Sequence, residues 1–565
     1  MSNETQENNF NKYPDYVNRG KLYEARPVYA MLDDTVRDFG ARPGMDFMGK
    51  KYSWAELGSH VDKMAKGLQN LGVTKDTRVG ICLPNSPYYL ISYYAILKAG
   101  GIVVNLNPLY SLPELKHLLT DSEAEFVVTA DLSMLYDKLH EIFAETNLKK
   151  LIICRFTESL PFPKNILFPI VKSKDIAKLK DPQQFVWYCD ICKNDGKPKI
   201  HPVDPVNDVA VLQYTGGTTG VPKGAMLTHY NVVANVEQST DWFPTTGRGQ
   251  ERMLGILPFF HVFAMTTVMN MSVRNAFELI TIPRFELDAT LKLIHKKKPH
   301  YLPAVPAIYN AINNHKKRHE YDLTSLKYCV SGGAPLPVEV KKTFERNTGC
   351  IVVEGYGLTE ASPVLCANPI VGANKAGSIG LPFPATTIEI INPDDKVTPM
   401  KVGERGELCA RGPQIMKGYW KRPTESEDAL RAGRLHTGDI AVMDEDGYIY
   451  IVDRIKDLII TNGYNVYPRN VEEAIYTHEG VEETIVAGVP DEQRGEIVKA
   501  WIKPKSGVAI TPDEMKNFLK DILSPMEMPR YIEIRSEPLP KTMIGKLSRK
   551  DILAEEKKKR EENIS

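Results

Sequence analysis

Apolar and polar positions fall into alternating blocks along the first two hundred residues. VDKMAKGLQNLG spaces its apolar side chains at helical intervals and stops at Gly72, which predicts an amphipathic helix ended by a glycine. RVGICL reads as a strand, YYLISYYAILKAG as a helix and GIVVNLNP as the next strand, with FVVTA and KLIICR continuing the series. Strand and helix in this order predict a parallel sheet, hence an α/β fold class. DVAVLQ, just before Tyr214, reads as a further buried strand, and the alternation runs on from about 208 to 450. From about 457 to 550 a short module carries strands such as ETIVAGV and KAWIKP and a helix near DEMKNFLKDIL. The tail EEKKKREEN has mixed charges and reads as a solvated helix end.

One stretch breaks the pattern. In RFTESLPFPKNILFPIVKSKDIAKLKDP, residues 155–182, prolines interrupt a mixture of Leu160, Phe162, Ile166, Leu167, Phe168, Ile170 and Val171 with Lys164, Lys172, Lys174, Lys178 and Lys180. Two readings stay open: an ordinary connection packed on its own domain, and a segment resting on an anionic bilayer surface.

At 565 residues the chain exceeds one hydrophobic core, so more than one domain is expected. Lys and Arg together number 71 and so do Asp and Glu, so no global field draws nucleic acid, and none is expected as a partner. Eight scattered cysteines favour reduced thiols and a cytoplasmic protein; Cys189 and Cys192 have C-x-x-C spacing without a second pair beside them. The polar start MSNETQENNFNKYPDY lacks a signal-peptide layout, and the end EENIS lacks S-K-L. Pro84, Asn85, Pro87 and Lys98 interrupt the most apolar window, Ile81 to Val104, so a buried helix and strand fit it better than a membrane span.

The chemistry concentrates in YTGGTTGVPKGAMLTH, Tyr214 to His229. Gly216, Gly217, Gly220 and Gly224 surround Thr215, Thr218, Thr219 and Lys223. Glycines let such a loop close on a polyanion, backbone N–H groups and hydroxyls cradle phosphate oxygens, and lysine adds charge. A Walker A loop is excluded, because Lys223 is followed by Gly224 rather than Ser or Thr. Further motifs follow in order: LPFFHVFAM (257–265), SGGAPLP (331–337), EGYGLTE (354–360), LHTGDI (435–440), DRIKDL (453–458), NGYNVYP (462–468) and PKTMIGKLSRK (540–550). There is no G-x-S-x-G nucleophile elbow.

In order and spacing this set resembles the AMP-forming adenylate enzymes, a superfamily of acyl-CoA synthetases, aryl-CoA ligases, luciferases and peptide-synthetase adenylation domains. The resemblance spans about Tyr52 to Lys550 and is strongest to bacterial and archaeal long-chain fatty acid–CoA ligases, which carry an insert similar to SLPFPKN. It implies a large N-terminal domain of α/β sheets with a small β-barrel part, residues 1–453, a hinge at 454–459, and a small mobile α+β domain, 460–565.

The resemblance also implies roles. The phosphate loop, Thr215 to Gly220 with Lys223, would hold ATP. His261 would sit beside the substrate carboxylate, with Phe259, Phe260, Phe263 and Met265 around the acyl pocket. Gly332, Gly333, Ala334, Glu354, Gly355, Tyr356, Gly357 and Thr359 would form the adenine and α-phosphate site. Glu360 would hold Mg²⁺ with Thr215 nearby, Asp439 would take the ribose hydroxyls, and Arg454 and Lys456 would reach the nucleotide. Lys546 would be the adenylation lysine, and Gly463 would line the tunnel for CoA. The implied reaction activates a fatty acid to acyl-AMP and pyrophosphate, then transfers the acyl group to CoA.

Leu257 to Val273 holds no Asp or Glu, so a substrate ammonium would be unpaired and amino acids are disfavoured. Met265 stands where some long-chain members have a tryptophan gate, and 462–468 lacks the G-E-Y-I form of eukaryotic long-chain enzymes. Three alternatives therefore stand beside a long- or medium-chain fatty acid–CoA ligase: an aryl-CoA ligase resembling 4-coumarate–CoA ligase, an acyl-AMP ligase loading a separate carrier protein, and an inactive lipid binder. A monomer or homodimer is expected, with peripheral contact to the inner membrane face if 155–182 touches lipid.

Overall fold

The computed structural model describes residues 12–215, 222–244, 246–461, 464–491, 494–542 and 546–564. The expected alternation forms a seven-stranded sheet. Its spatial order is Phe185–Trp187, Lys150–Cys154, Phe126–Ala130, Arg78–Cys82, Ile102–Asn105, Val209–Thr215 and Lys223–Thr228, all parallel but the last. A nine-stranded sheet lies beside it, with a parallel centre through Ile351–Gly357, Tyr328–Ser331, Tyr301–Ala304, Arg252–Gly255, Glu278–Thr281 and Pro43–Phe47. Parallel strands buried on both faces read as continuous apolar runs, and Phe126–Ala130 is buried at every position.

Helix Trp54–Asn70 begins with a capping box: Ser53 Oγ accepts from Glu56 N at 3.2 Å, and Glu56 Oε2 accepts from Ser53 N at 2.7 Å. Trp54, Leu57, Val61, Met64 and Leu68 form its buried face, and Gly72, at φ +100°, turns the chain beyond its end. Helix Pro87–Lys98 is apolar around its whole circumference and buried from Pro87 to Leu97.

The part expected as a small β-barrel is a four-stranded antiparallel sheet, Thr387–Ile391, Gly406–Arg411, Leu435–Met443 and Ile449–Arg454, whose end strands do not pair with each other. The C-terminal sheet is built on the long hairpin Val481–Asp491 and Gly495–Pro504, extended by Tyr531–Ile534. Cores separate in the same way. One cluster runs from Val17 to Ile449, and two smaller ones gather Ile459 to Ile532 and Ile485 to Ile552. Among the described residues no helix is long and apolar enough to cross a membrane.

Strand Ile351–Gly357 turns back antiparallel into Val364–Ala367, and Gly357 makes that turn feasible. A Cβ there would lie 2.0 Å from the Pro363 carbonyl oxygen and 3.0 Å from Val364 Cα, both backbone atoms. Gly357→Ala is expected to destabilise the protein by about 1–3 kcal/mol through overpacking, read as a lower urea midpoint. An unchanged midpoint would mean that this strand pair opens without cost.

Candidate functional site

The site lies where strands of the two large sheets end and the C-terminal module approaches. Thr215 and Lys223 face each other across the hairpin of Val209–Thr215 and Lys223–Thr228. The loop between them, with Gly216, Gly217, Thr218, Thr219 and Gly220, lies outside the described residues, as does Gly463. The hairpin gains a further backbone neighbour that the sequence did not announce. Met226 N–H donates to Gly418 O and Trp420 N–H to Gly224 O, both at 2.8 Å. Tyr419 is thereby placed under the Lys223 ammonium, 5.3 Å from ring centre. Its hydroxyl donates to Glu360 Oε1 at 2.6 Å. Burial and the Glu360 carboxylate push the Tyr419 phenol far above its ordinary range, so it stays a donor.

Beside the residues expected at the acyl chain, Asn85 clamps the backbone before His261. Its Nδ2 donates to Leu257 O and its Oδ1 accepts from Phe259 N, each at 2.8 Å. His261 then caps the turn Val262–Ala264, its Nδ1 accepting from Phe263 N at 3.3 Å. The neutral ring therefore carries its proton on Nε2. A π-helical turn, Met265–Asn270, follows, a geometry often found at functional sites. Phe259 meets Tyr89 edge-on at 5.8 Å, and Phe263 lies against Gly332, where a Cβ would come within 3.1 Å of the ring. Behind Phe259 and Met265 runs a closed polar chain. Tyr89 OH donates to Asn105 Oδ1 (2.6 Å), Asn105 Nδ2 to Gln213 Oε1 (2.7 Å), and Gln213 Nε2 to Phe260 O (2.9 Å).

The residues expected at the nucleotide come from neighbouring parallel strands, with Ser331 opposite Glu354. Gly333 has φ +80° in the turn that follows Ser331 and precedes Ala334. Glu354 is buried, and its Oε1 accepts from Leu336 N at 3.2 Å. Its carboxyl is thus spent on holding the Gly332–Leu336 loop, and burial raises its pKa to about 7 despite Arg469 and Lys341. Tyr356 OH donates to Asp439 Oδ2 at 2.5 Å, and Arg454 Nε lies 3.1 Å from Asp439 Oδ1, opposite it in the antiparallel pair. Each carboxylate oxygen keeps acceptor capacity for a further hydroxyl. Gly355 and Thr359 flank this arrangement, half-buried.

Asp439 is also steadied from behind. Glu407 Oε1 accepts from Gly438 N at 3.0 Å, and Glu407 Oε2 lies 2.8 Å from His436 Nδ1. Cys189 and Cys192 are free, half-buried thiols.

Lys546 comes from the other core. Desolvation, with Arg454 second, lowers its pKa to about 8, and Asp439 opposes the shift. Desolvation, with Lys546 second, lowers His261 to about 4. The half-buried ring of His261 is thus neutral beside a lysine that is charged at neutral pH. Lys456 is lowered by desolvation and by Arg454. Arg549, three residues past Lys546, pairs with Glu472 inside the module (2.7 Å) and ties it to the junction through Asp457 (3.2 Å) and Asp453 (3.7 Å).

The structure therefore gathers His261, Tyr356, Asp439, Arg454 and Lys546, and separately Lys223, Tyr419 and Glu360. Tyr419, which bonds Glu360, Glu407, which holds the Gly438 N–H, and Arg549, which pairs at the junction, were not singled out in the sequence. The aromatic pair after Gly418 in MKGYW was the one signal for Tyr419, and nothing local marked the other two.

The AMP-binding enzyme family model matches residues 32–420, and the AMP-binding enzyme C-terminal domain model matches 470–546. A long-chain-fatty-acid–CoA ligase of Bacillus subtilis (strain 168) is 44% identical over 550 residues, covering 96% of this chain and 97% of that protein. A feruloyl-CoA synthase of Amycolatopsis sp is 35% identical over 508 residues, covering 89% of this chain and 94% of that protein. Among solved structures, ATP-bound MatB from Rhodopseudomonas palustris superposes with TM-score 0.80 at 27% identity, covering 94% of this chain and 98% of that one. The chain belongs to the AMP-binding enzyme family.

The coupling of His261 to Lys546 can be measured without turnover. With ¹³C-labelled histidine, the His261 resonance should titrate with a midpoint at about 4, against roughly 6.5 for an unperturbed imidazole. In Lys546→Ala the midpoint should rise, because a neighbouring cation is gone. An identical midpoint in both proteins would show that Lys546 does not sit over this site in solution.

Proposed function

We propose that the protein is a fatty acid–CoA ligase that uses ATP and CoA as co-substrates. The observation that supports the reading is the cluster of Tyr356, Asp439 and Arg454, whose field reaches Lys546 of the C-terminal module. Identity to a named long-chain-fatty-acid–CoA ligase over nearly the whole chain supports the substrate class.

In the first step a carboxylate oxygen of the fatty acid attacks the α-phosphorus of ATP. The new O–P bond forms as the bond to pyrophosphate breaks. Lys546 bridges the carboxylate and the α-phosphate as charge builds, and His261 Nε2–H orients the carboxylate. The loop 215–220 and Lys223 hold the outgoing phosphates, Gly332–Ala334 and Gly355–Gly357 approach the adenine, Tyr356 offers it a ring face, and Thr359 donates to the α-phosphate. Asp439 takes the ribose hydroxyls, with Arg454 and Lys456 at the nucleotide. In the second step the CoA sulfur attacks the acyl carbon and AMP leaves.

Glu360 fits a Mg²⁺ site: one oxygen is taken by Tyr419, and the other has no hydrogen-bond partner among the described residues. Bound there with Thr215 nearby, the ion would neutralise phosphate charge. Between the steps residues 460–565 turn about 454–459, exchanging Lys546 for Gly463. The Arg549 contacts to Asp453 and Asp457 are the ties such a turn must remake.

A second reading, an aryl-CoA ligase, is favoured by the feruloyl-CoA synthase identity. AMP release across acids from acetate through palmitate and oleate to 4-coumarate and ferulate decides between them. A maximum at C8–C18 is expected; a maximum at the aryl acids overturns the fatty acid assignment.

Lys546→Ala should slow adenylation by roughly 10²–10³-fold, the usual cost of losing one preorganised donor, while still converting supplied acyl-AMP to acyl-CoA. Equal loss of both half-reactions would sink the exchange of Lys546 for Gly463. The protonated lysine is the active form, so kcat/KM for ATP in adenylation should fall as pH rises through about 8. Lys546→Arg should abolish that alkaline limb, and a limb that stays at the same pH would assign it to another group.

A further inference from the structure

We propose that the helix Lys164–Val171, with Phe162 before it and the lysines after it, is a docking surface for an anionic lipid bilayer. The helix has no buried residue. At 3.6 residues per turn, Ile166, Leu167, Ile170 and Val171 fall within one arc of about 140°. All four are exposed, Ile170 by 69% and Val171 by 74%, and Phe162 is exposed by 79%. Phe168 lies off that arc and is the anchor, its ring 5.4 Å from Phe156, which in turn meets Phe47 at 6.3 Å. The segment therefore packs as a connection on one side and presents a continuous apolar face on the other. Met134 extends the patch: it is 53% exposed and adjoins Ser133, whose hydroxyl donates to the Lys174 carbonyl at 3.4 Å.

Charge selects the occupant. Residues 155–182 carry six basic and three acidic side chains. Glu158 is paired with Arg155 (3.3 Å), Asp175 with Lys172 (3.8 Å) and Asp181 with His140 (2.8 Å). Lys174, Lys178 and Lys180 are exposed and have no ion-pair partner among the described residues. An apolar face rimmed by unpaired cations matches the boundary between acyl chains and anionic headgroups, whereas a protein partner of ordinary composition would not call for both.

The patch also connects to the acyl side of the site. Tyr88 OH donates to the Arg155 carbonyl at 3.2 Å, and its neighbour Tyr89 packs on Phe259 at 5.8 Å. A protein docked through this helix would hold its acyl pocket wall a few side chains from the bilayer.

The test uses the full chain without substrates. Sedimentation with vesicles of phosphatidylcholine and phosphatidylglycerol in equal parts, and of phosphatidylcholine alone, gives partition coefficients. The wild type is expected to bind the anionic vesicles, and Ile166→Ser/Ile170→Ser to bind at least tenfold more weakly. Each lysine reversed in Lys174→Glu/Lys178→Glu should cost about fivefold or more. All these positions are exposed, so thermal unfolding and turnover of a dissolved short-chain acid should match wild type. Failure of the wild type to bind, equal binding by the apolar variant, or equal binding to both vesicle types overturns the proposal. So does a concentration-dependent dimer abolished by the apolar variant, which would assign the face to a second copy of the chain. None of the binding readouts depends on which acid the enzyme activates.

Discussion

A lysine ammonium shielded from water loses much of what keeps it charged, and the arrangement around Lys546 follows from that constraint. Its pKa falls only to about 8 because Asp439 and Asp457 oppose desolvation and the neighbouring arginines. It therefore keeps its proton at neutral pH. Burial first and the Lys546 cation second hold the His261 pKa at about 4, which leaves it a neutral donor. Asp439 can offset Lys546 because it is held from two sides, by Tyr356 and by Arg454. Glu407 fixes the backbone that carries it.

The same constraint explains why the junction is rich in charge. Asp453 takes the Arg469 N–H at 2.8 Å and faces Arg549 at 3.7 Å, while Arg549 also holds Asp457 and Glu472. Partly buried ion pairs of this kind add little net stability, because desolvation cancels most of the attraction. They do specify geometry: the guanidinium fork of Arg549 fits one arrangement of three carboxylates. A junction held by exchangeable ion pairs rather than by a continuous apolar core can be remade without unfolding either body. The separation of the cores at Ile449 and Ile459 is consistent with that.

Much of this was legible in the sequence. The periodicity of VDKMAKGLQNLG and the run FVVTA gave a helix and a strand where the chain forms them, because burial on one face or both leaves its mark locally. LHTGDI, in isolation no more than a turn, lies within the strand Leu435–Met443, since its partners Gly406–Arg411 and Ile449–Arg454 are set by tertiary pairing. Glu354 was expected at the nucleotide, and its carboxyl holds the loop one strand away through Leu336 N–H, a partner its own motif does not name. Tyr419 meets Glu360 across 59 positions, and Tyr356 meets Asp439 across 83. A motif declares what a side chain can do chemically; which partner consumes that capacity depends on contacts no local window contains.

The residues expected around the acyl chain illustrate the consequence for substrate choice. Tyr89, Asn105 and Gln213 would be the polar handles for a hydroxylated aromatic acid, and each already has its donor engaged within the protein. Asn105 Nδ2 also lies 3.4 Å from Met265 Sδ. Tyr89 is 0%, Asn105 3% and Gln213 5% exposed, so their remaining lone pairs are closed to a phenolic hydroxyl, which would go unpaired at a cost of about 1–3 kcal/mol. A methylene chain meets no such penalty and gains about 0.8 kcal/mol for each CH₂ removed from water. The closed polar chain behind Phe259 and Met265 thus acts as an apolar surface, which tilts the balance toward an aliphatic acid even though its side chains are a phenol and two amides.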